Sequence, residues 1–216
     1  MASHPSVAQS LEDTINGIPL HTVREQLVWL GENPNREGLH HTPARYLAML
    51  RAMTTGNPED DPGQALTVQF TEDDYEEPVI VRDVPFWSLC EHHLLPFWGV
   101  VSLGYFPEGG RVVGLSKIPR LVRWCARRLQ TQERFTRDIT TTFDGIVAPG
   151  GVGVIVSGVH SCMLMRGVES PGRLETRSYK GSDMAQLAIA KALEIPIYVA
   201  GNVIRSFDLL TQNYGR

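Results

Sequence analysis

Cys90-Glu91-His92-His93 and His160-Ser161-Cys162 bring two thiols and three imidazoles into two short stretches of one chain. Cys90 and His93 stand three positions apart, the separation at which a single turn can close two ligands onto one ion. In the second stretch, alternation along an extended strand would set His160 and Cys162 on one face, together with Leu164 and Arg166. Two thiolates and one imidazole, Cys90, Cys162 and His93, make a three-ligand zinc set. The fourth tetrahedral position is then left to water, whose ionisation zinc brings from about 15.7 down to ~7. That is hydrolytic chemistry. Two other arrangements use the same residues: a closed structural site with His92 or His160 as fourth ligand, and a Cys90–Cys162 disulfide. Against the disulfide stand an odd count of three cysteines and a beginning without the basic-then-apolar pattern of a signal peptide. Both point to a reducing cytosol, where metal binding is the commoner use. The third cysteine, Cys125, lies in an apolar and basic helical pattern and reads as structural.

Charge narrows the partners. The net charge of −4 offers no general attraction to nucleic acid. Yet the stretch from Arg111 to Thr131 carries Arg111, Lys117, Arg120, Arg123, Arg127 and Arg128 without one acidic residue. A local anion site fits this better than a nucleic-acid surface, with the remaining charges on a solvated helix face. With 216 residues, 42% hydrophobic and 20% charged, the chain is long enough for one substantial core. No run of about 18 apolar residues is present, so no membrane span is expected, and the expected location is cytoplasmic.

The elements that must position these groups follow from pattern. Residues 1–18 read as a polar arm. Thr22-Val23-Arg24-Glu25 resembles a capping box ahead of Val23, Leu27 and Leu30, in a helix stopping at Gly31. Thr42-Pro43 opens a second helix, with Tyr46, Leu50 and Met53 on one face and Gly56-Asn57-Pro58 at its end. Glu59–Gly63 reads as an acidic linker and Asp73–Pro78 as a loop. From Val79 the pattern turns to strands: Val79–Val84, Gly99–Phe106 and, after a Pro107–Gly110 turn, Arg111–Leu115. Ser116 can cap a helix to about Leu129, and Glu133 opens another with Phe135, Ile139 and Phe143 in register. Val152–Val159 and His160–Gly167 read as further strands. Asp183 can cap a last helix carrying Met184, Leu187 and Leu193, followed by apolar Ile195–Val199. The expected divisions are 1–65, an arm and helical extension; 66–170, the catalytic domain; and 171–216, a C-terminal segment of that domain.

Order and residues together resemble the GTP cyclohydrolase I family. The resemblance is carried by Thr42–Arg45, Val84–Phe97, Gly114–Lys117, Arg128–Arg134 and Val159–Gly167. It implies an α+β tunnelling fold, an antiparallel sheet with two helices on one face, here with a helical N-terminal extension. It further implies that Cys90, His93 and Cys162 bind Zn2+ and that His92 and His160 move protons. The implied substrate is GTP. Zinc-activated water attacks C8 of guanine, formate leaves, and the ribose closes into 7,8-dihydroneopterin triphosphate without a redox cofactor. Glu133 matches the carboxylate that reads guanine N1–H and the 2-amino group. Gln132 is expected at the base or ribose, and Ser116, Lys117, Arg120 and Arg166 at the triphosphate. Arg123, Arg127 and Arg128 are left as surface or intersubunit groups. The family assembles as homo-oligomers, usually a decamer of two pentameric rings with sites between subunits.

After Gly167 the resemblance weakens. Leu174–Tyr179 stands where a Ser/Thr-rich strand is expected, and the closing helix with its Arg and Glu-Phe-Leu pattern is missing. This leaves two alternatives: a divergent paralogue that stops at a formamide or serves secondary pterin or deazapurine metabolism, and a non-enzymatic guanine-nucleotide-binding assembly protein with a structural metal.

Overall fold

The computed structural model describes residues 14–15, 18–56, 60–72, 75–194, 197–199 and 202–204. They fall into two compact units, Met1–Thr54 and Thr55–Arg216. In the first, a short hairpin of β1 (Thr14–Ile15) and β2 (Ile18–Pro19) precedes helices α1 (His21–Trp29) and α2 (Thr42–Thr54). The capping box expected at Thr22 is not used: α1 begins at His21 with Leu20 in the cap position, so Thr22 lies inside the first turn. The stop at Gly31 does occur, and there φ of +83° requires a residue without a Cβ penalty. In α2 the buried residues are Pro43 and Leu47, while Tyr46, Leu50 and Met53 are half-buried around them.

The second unit is built on a five-stranded sheet in the order β7-β4-β5-β8-β9. Its long strands are β4 (Val79–Cys90), β5 (Pro96–Phe106), β8 (Gly151–His160) and β9 (Leu174–Gly181), each antiparallel to its neighbour. Two-residue β7 (Leu129–Gln130) lies parallel to the end of β4. A smaller ladder joins β3 (Gln69–Thr71) to β6 (Arg111–Val113), and β10 (Ile197–Val199) pairs with β11 (Asn202–Ile204). Alternation along the strands separates two faces. Val101, Leu103 and Tyr105 of β5 and Val152, Val154 and Val156 of β8 are buried on one. Against it pack Ile118, Leu121, Val122 and Cys125 of α4 (Lys117–Ala126) and Phe135, Ile139 and Phe143 of α5 (Gln132–Val147). Phe86 meets Phe135 at 4.7 Å and Tyr105 meets Phe143 at 5.0 Å between ring centroids, and each such side chain contributes about 1.5–3 kcal/mol by burial. This is the sheet with two helices that the resemblance implied.

Four local expectations change. Residues 60–65 are part of this unit rather than a linker: Asp61 caps helix α3 (Pro62–Ala65) through Gly63 N at 2.8 Å, and Asp60 is 1% exposed, paired with Arg123. Ser116 makes no side-chain cap on α4. Among the described residues after 170, β9 completes the sheet, and the expected last helix, α7 (Asp183–Glu194), lies on the face opposite α4 and α5. Gly104 and Gly153, paired across β5 and β8, make room for it. A Cβ at Gly153 would lie 2.5 Å from Ile189 Cγ2. The glycine strip therefore selects which helix face is buried. Ile189 and Leu193 face the sheet, whereas Met184 and Leu187, expected to share the buried face, are 75% and 65% exposed. The cap is Ser182, whose Oγ accepts from Ala185 N at 3.3 Å, not Asp183. At the other end Arg82 donates to the carbonyls of Leu193 and Ala192 at 2.6 and 2.7 Å, satisfying last-turn acceptors.

Candidate metal centre and active site

β4 ends at Cys90 and hands the chain to a tight turn. Cys90 N donates to Leu95 O and Leu94 N to Cys90 O, both at 2.9 Å. Leu94 has φ of +54°, an uncommon conformation for a residue with a branched side chain and one that the surrounding bonds must hold. The turn keeps Cys90 buried while His92 and His93 are exposed. His92 Nδ1 lies 3.7 Å from Cys90 Sγ.

Cys162 arrives differently from the strand alternation expected. β8 stops at His160, whose ladder partner is Phe97, close to the Pro96 start of β5. Beyond that point the sheet offers no further partner, and backbone groups must be satisfied locally. Residues Ser161–Leu164 form one helical turn, α6, closed by Met165 N donating to Ser161 O at 3.0 Å. Ser161 Oγ donates back to Pro96 O. His160, Cys162, Leu164 and Arg166 therefore do not share a strand face. The turn nonetheless delivers the thiol. Donor atoms of Cys90, His93 and Cys162 all lie within 4.8 Å of one another, and all three cysteines are free. Burial and the adjacent Cys90 thiol push the Cys162 thiol up, while Arg166 pulls it down. A thiol held back from ionising by burial and a neighbouring thiol, beside an imidazole, belongs to a soft donor set that a divalent cation suits. The residues fit a zinc-type ion.

The helix side of the site is set by β7. Gln130 is fully buried, and its Nε2 donates to Ser88 Oγ and Cys125 O, both at 2.8 Å. Glu91 N donates to Gln130 O at 3.2 Å. These bonds lock the start of α5 beside the metal turn. Thr131 caps α5 through Arg134 N at 3.3 Å, and Arg134 reaches Glu91 at 2.8 Å. Glu133, in the first turn, is exposed. His160 stacks on Phe97 with ring centroids 4.6 Å apart and planes 5° from parallel. Burial pushes its pKa below the usual histidine range, and the Glu133 carboxylate opposes that. Gln132, expected at the base or ribose, is fully buried: Nε2 donates to Val156 O, Leu174 O and Thr176 Oγ1 at 3.1, 2.9 and 3.1 Å. Its Oε1 lies 3.0 Å from His160 Nε2.

The cationic residues divide. Arg166 Nη1 donates to His93 Nε2 at 2.8 Å, which sets a guanidinium beside the cluster. Ser116, Lys117 and Arg120 sit at the N-terminal end of α4, whereas Ser88, two residues from Cys90, donates to Ala126 O at its C-terminal end at 2.6 Å. A ten-residue helix spans about 15 Å. Within one chain, this second cationic group and the metal cluster lie at opposite ends of α4. Sequence reading missed the Glu91–Arg134 and Asp60–Arg123 pairs, and Thr176 as a partner of the site. Glu91's place between Cys90 and His92 was a signal for the first; nothing in the pattern pointed to the others.

A family model for GTP cyclohydrolase I matches residues 20–191. Two relatives named GTP cyclohydrolase 1, from Bacillus mycoides (strain KBAB4) and Bacillus anthracis (strain CDC 684 / NRRL 3495), are each 47% identical over 152 residues, 70% of this chain and 79% of theirs. Of solved structures, an apo archaeosine synthase QueF-Like is similar at a TM-score of 0.41 and 19% identity, over 50% of this chain and 98% of that one.

Proposed function

Since the chain belongs to the GTP cyclohydrolase I family, we propose that it hydrolyses the imidazole ring of the guanine in GTP, releases formate and forms 7,8-dihydroneopterin triphosphate. The observation that carries this reading is the convergence of Cys90, His93 and Cys162 beside the Phe97-stacked His160. Cys90, His93 and Cys162 are the residues that would hold Zn2+. When bound, the ion supplies a water that ionises near neutral pH. The chain's own groups do the rest. His160, half-buried, stays neutral near pH 7 until a substrate proton is at hand, and then returns that proton to the ring nitrogen released from C8. His92, exposed and beside Cys90, is the second proton-transfer group. Glu133 accepts from guanine N1–H and the 2-amino group together, a donor pair that adenine lacks.

Ser116, Lys117, Arg120 and Arg166 bind the triphosphate. Because the α4 N-terminus lies about 15 Å from the Cys90 end, we assign Ser116, Lys117 and Arg120 to the site of a neighbouring copy, and Arg166 to its own. Such sharing agrees with a homo-oligomer, and we propose the family's decamer of two five-membered rings. Three free thiols suit a reducing cytoplasm. Among the described residues no helix is long and apolar enough to cross a membrane. The extent of the family match and the fold of the C-terminal segment weigh against the divergent-paralogue reading. The family match runs on to residue 191, and the segment that prompted it supplies strand β9 and helix α7.

The test is incubation of zinc-loaded protein with GTP. Formate and, after oxidation, a fluorescent pterin should form together, and Cys162→Ala should lose both along with bound zinc. A zinc-replete wild type that yields neither, or a formyl-retaining product alone, rejects the reading.

A further inference from the structure

The buried amide of Gln132 determines which nitrogen His160 can offer to a substrate. Two of the acceptors around Gln132 Nε2 are the backbone carbonyls of Val156 and Leu174, at 3.1 and 2.9 Å. Carbonyls only accept, so the amide group facing them must be the NH2 and not the oxygen. Thr176 Oγ1, 3.1 Å away, is compatible with the same orientation. Its own proton goes to Thr136 Oγ1 at 2.6 Å, because the Thr136 hydroxyl already donates to Gln132 O at 2.8 Å. With the NH2 turned inward, Gln132 Oε1 is left facing His160 Nε2 at 3.0 Å. An amide oxygen cannot donate, so the proton of this bond belongs to His160.

We propose that Gln132 is a positioning residue: it holds His160 with its proton on Nε2, so that Nδ1 is the nitrogen through which His160 exchanges a proton with substrate. Stacking on Phe97 fixes the ring plane, and the Gln132 bond fixes its rotation within that plane. Without the bond the ring could flip or change tautomer, and the reactive nitrogen would no longer be assigned. Gly158 belongs to the device, since a Cβ there would lie 2.5 Å from Gln132 Oε1. Gln132 itself is fully buried with its donors engaged, which leaves it no reach toward a base or ribose.

The inference rests on reading His160 as a proton-transfer group in the GTP reaction, and its test has a readout that needs no turnover. In protein carrying 15N-labelled histidine, with His160→Asn used to identify the signal, the neutral His160 ring should show a one-bond proton coupling at Nε2 and none at Nδ1. The opposite pattern in the wild type overturns the proposal, whatever the activity. Gln132→Met should lose that fixed pattern and lower kcat on the order of 10- to 100-fold, with KM for GTP within about twofold. Gln132→Glu keeps an acceptor for Nε2–H and, with its second oxygen protonated, a single donor for one of the two carbonyls, so it should recover part of that loss. Should Gln132→Met not fold, Gly158→Ala, which leaves both side chains chemically intact, should also depress kcat and not KM. A variant whose KM rises about tenfold at unchanged kcat would make Gln132 a substrate contact and overturn the idea. A wild type inactive on GTP but protonated on Nε2 would instead reject the activity and leave the tautomer assignment standing.

Discussion

At the level of single residues, the three thiols are chemically unequal, and their alkylation should reveal it. Cys125 is 1% exposed, and burial pushes its thiol up to about 12, so almost no thiolate exists at neutral pH. In native, metal-free protein, iodoacetamide at pH 8 should modify Cys162 first and leave Cys125 untouched, as read by peptide mass mapping. Zinc should protect Cys162 and Cys90 while leaving Cys125 as it was. Labelling of Cys125 at the rate of Cys162 would refute the packing described for α4. The approach of Cys90 and His93 was legible from spacing, because a Cys-x-x-His turn is a local geometry, whereas Cys162, far along the chain, was legible only by residue type. The role of Gln132 was not: it depends on Leu174 and Thr176 of β9, far along the chain, and no local pattern reports a long-range hydrogen bond.

At the level of elements, the strand-rich order and the two apolar helices could be read from periodicity, since Phe135, Ile139 and Phe143 mark a face whatever they pack against. The end of β8 could not, because it depends on where its partner β5 begins. The buried face of α7 was equally hidden, being selected by glycines on two other strands. The acidic stretch before α3 also proves structural. The Arg123 guanidinium, hydrogen-bonded to Asp60, holds that carboxyl below the usual carboxylate range. A depressed carboxyl stabilises the fold above its ordinary pKa of about 4 and loses that contribution as pH falls toward the folded value. Asp60→Asn should therefore cost about 1–3 kcal/mol at pH 7, measured by denaturant midpoint, and the gap from wild type should narrow as pH drops below about 4. A constant gap across pH would show that the ion pair is not its source.

At the level of the whole molecule, the separation of Lys117 from Cys90 along α4 underlies the proposal that sites are shared between copies, and mixed subunits test it. Lys117→Ala and Cys162→Ala should each be inactive alone. Mixed subunits, dissociated and reassembled in equal amounts, should regain about a quarter of wild-type activity, because each shared site draws its two halves independently. Recovery of nothing would mean that each chain builds its site unaided. The long strands β4, β5, β8 and β9 number four and run alternately up and down. An even count has a consequence of parity: the first and last strands point in opposite senses. A neighbouring copy that laid its β9 along the part of β4 before Leu89, where β7 does not pair, would therefore meet it antiparallel, whatever the ring size.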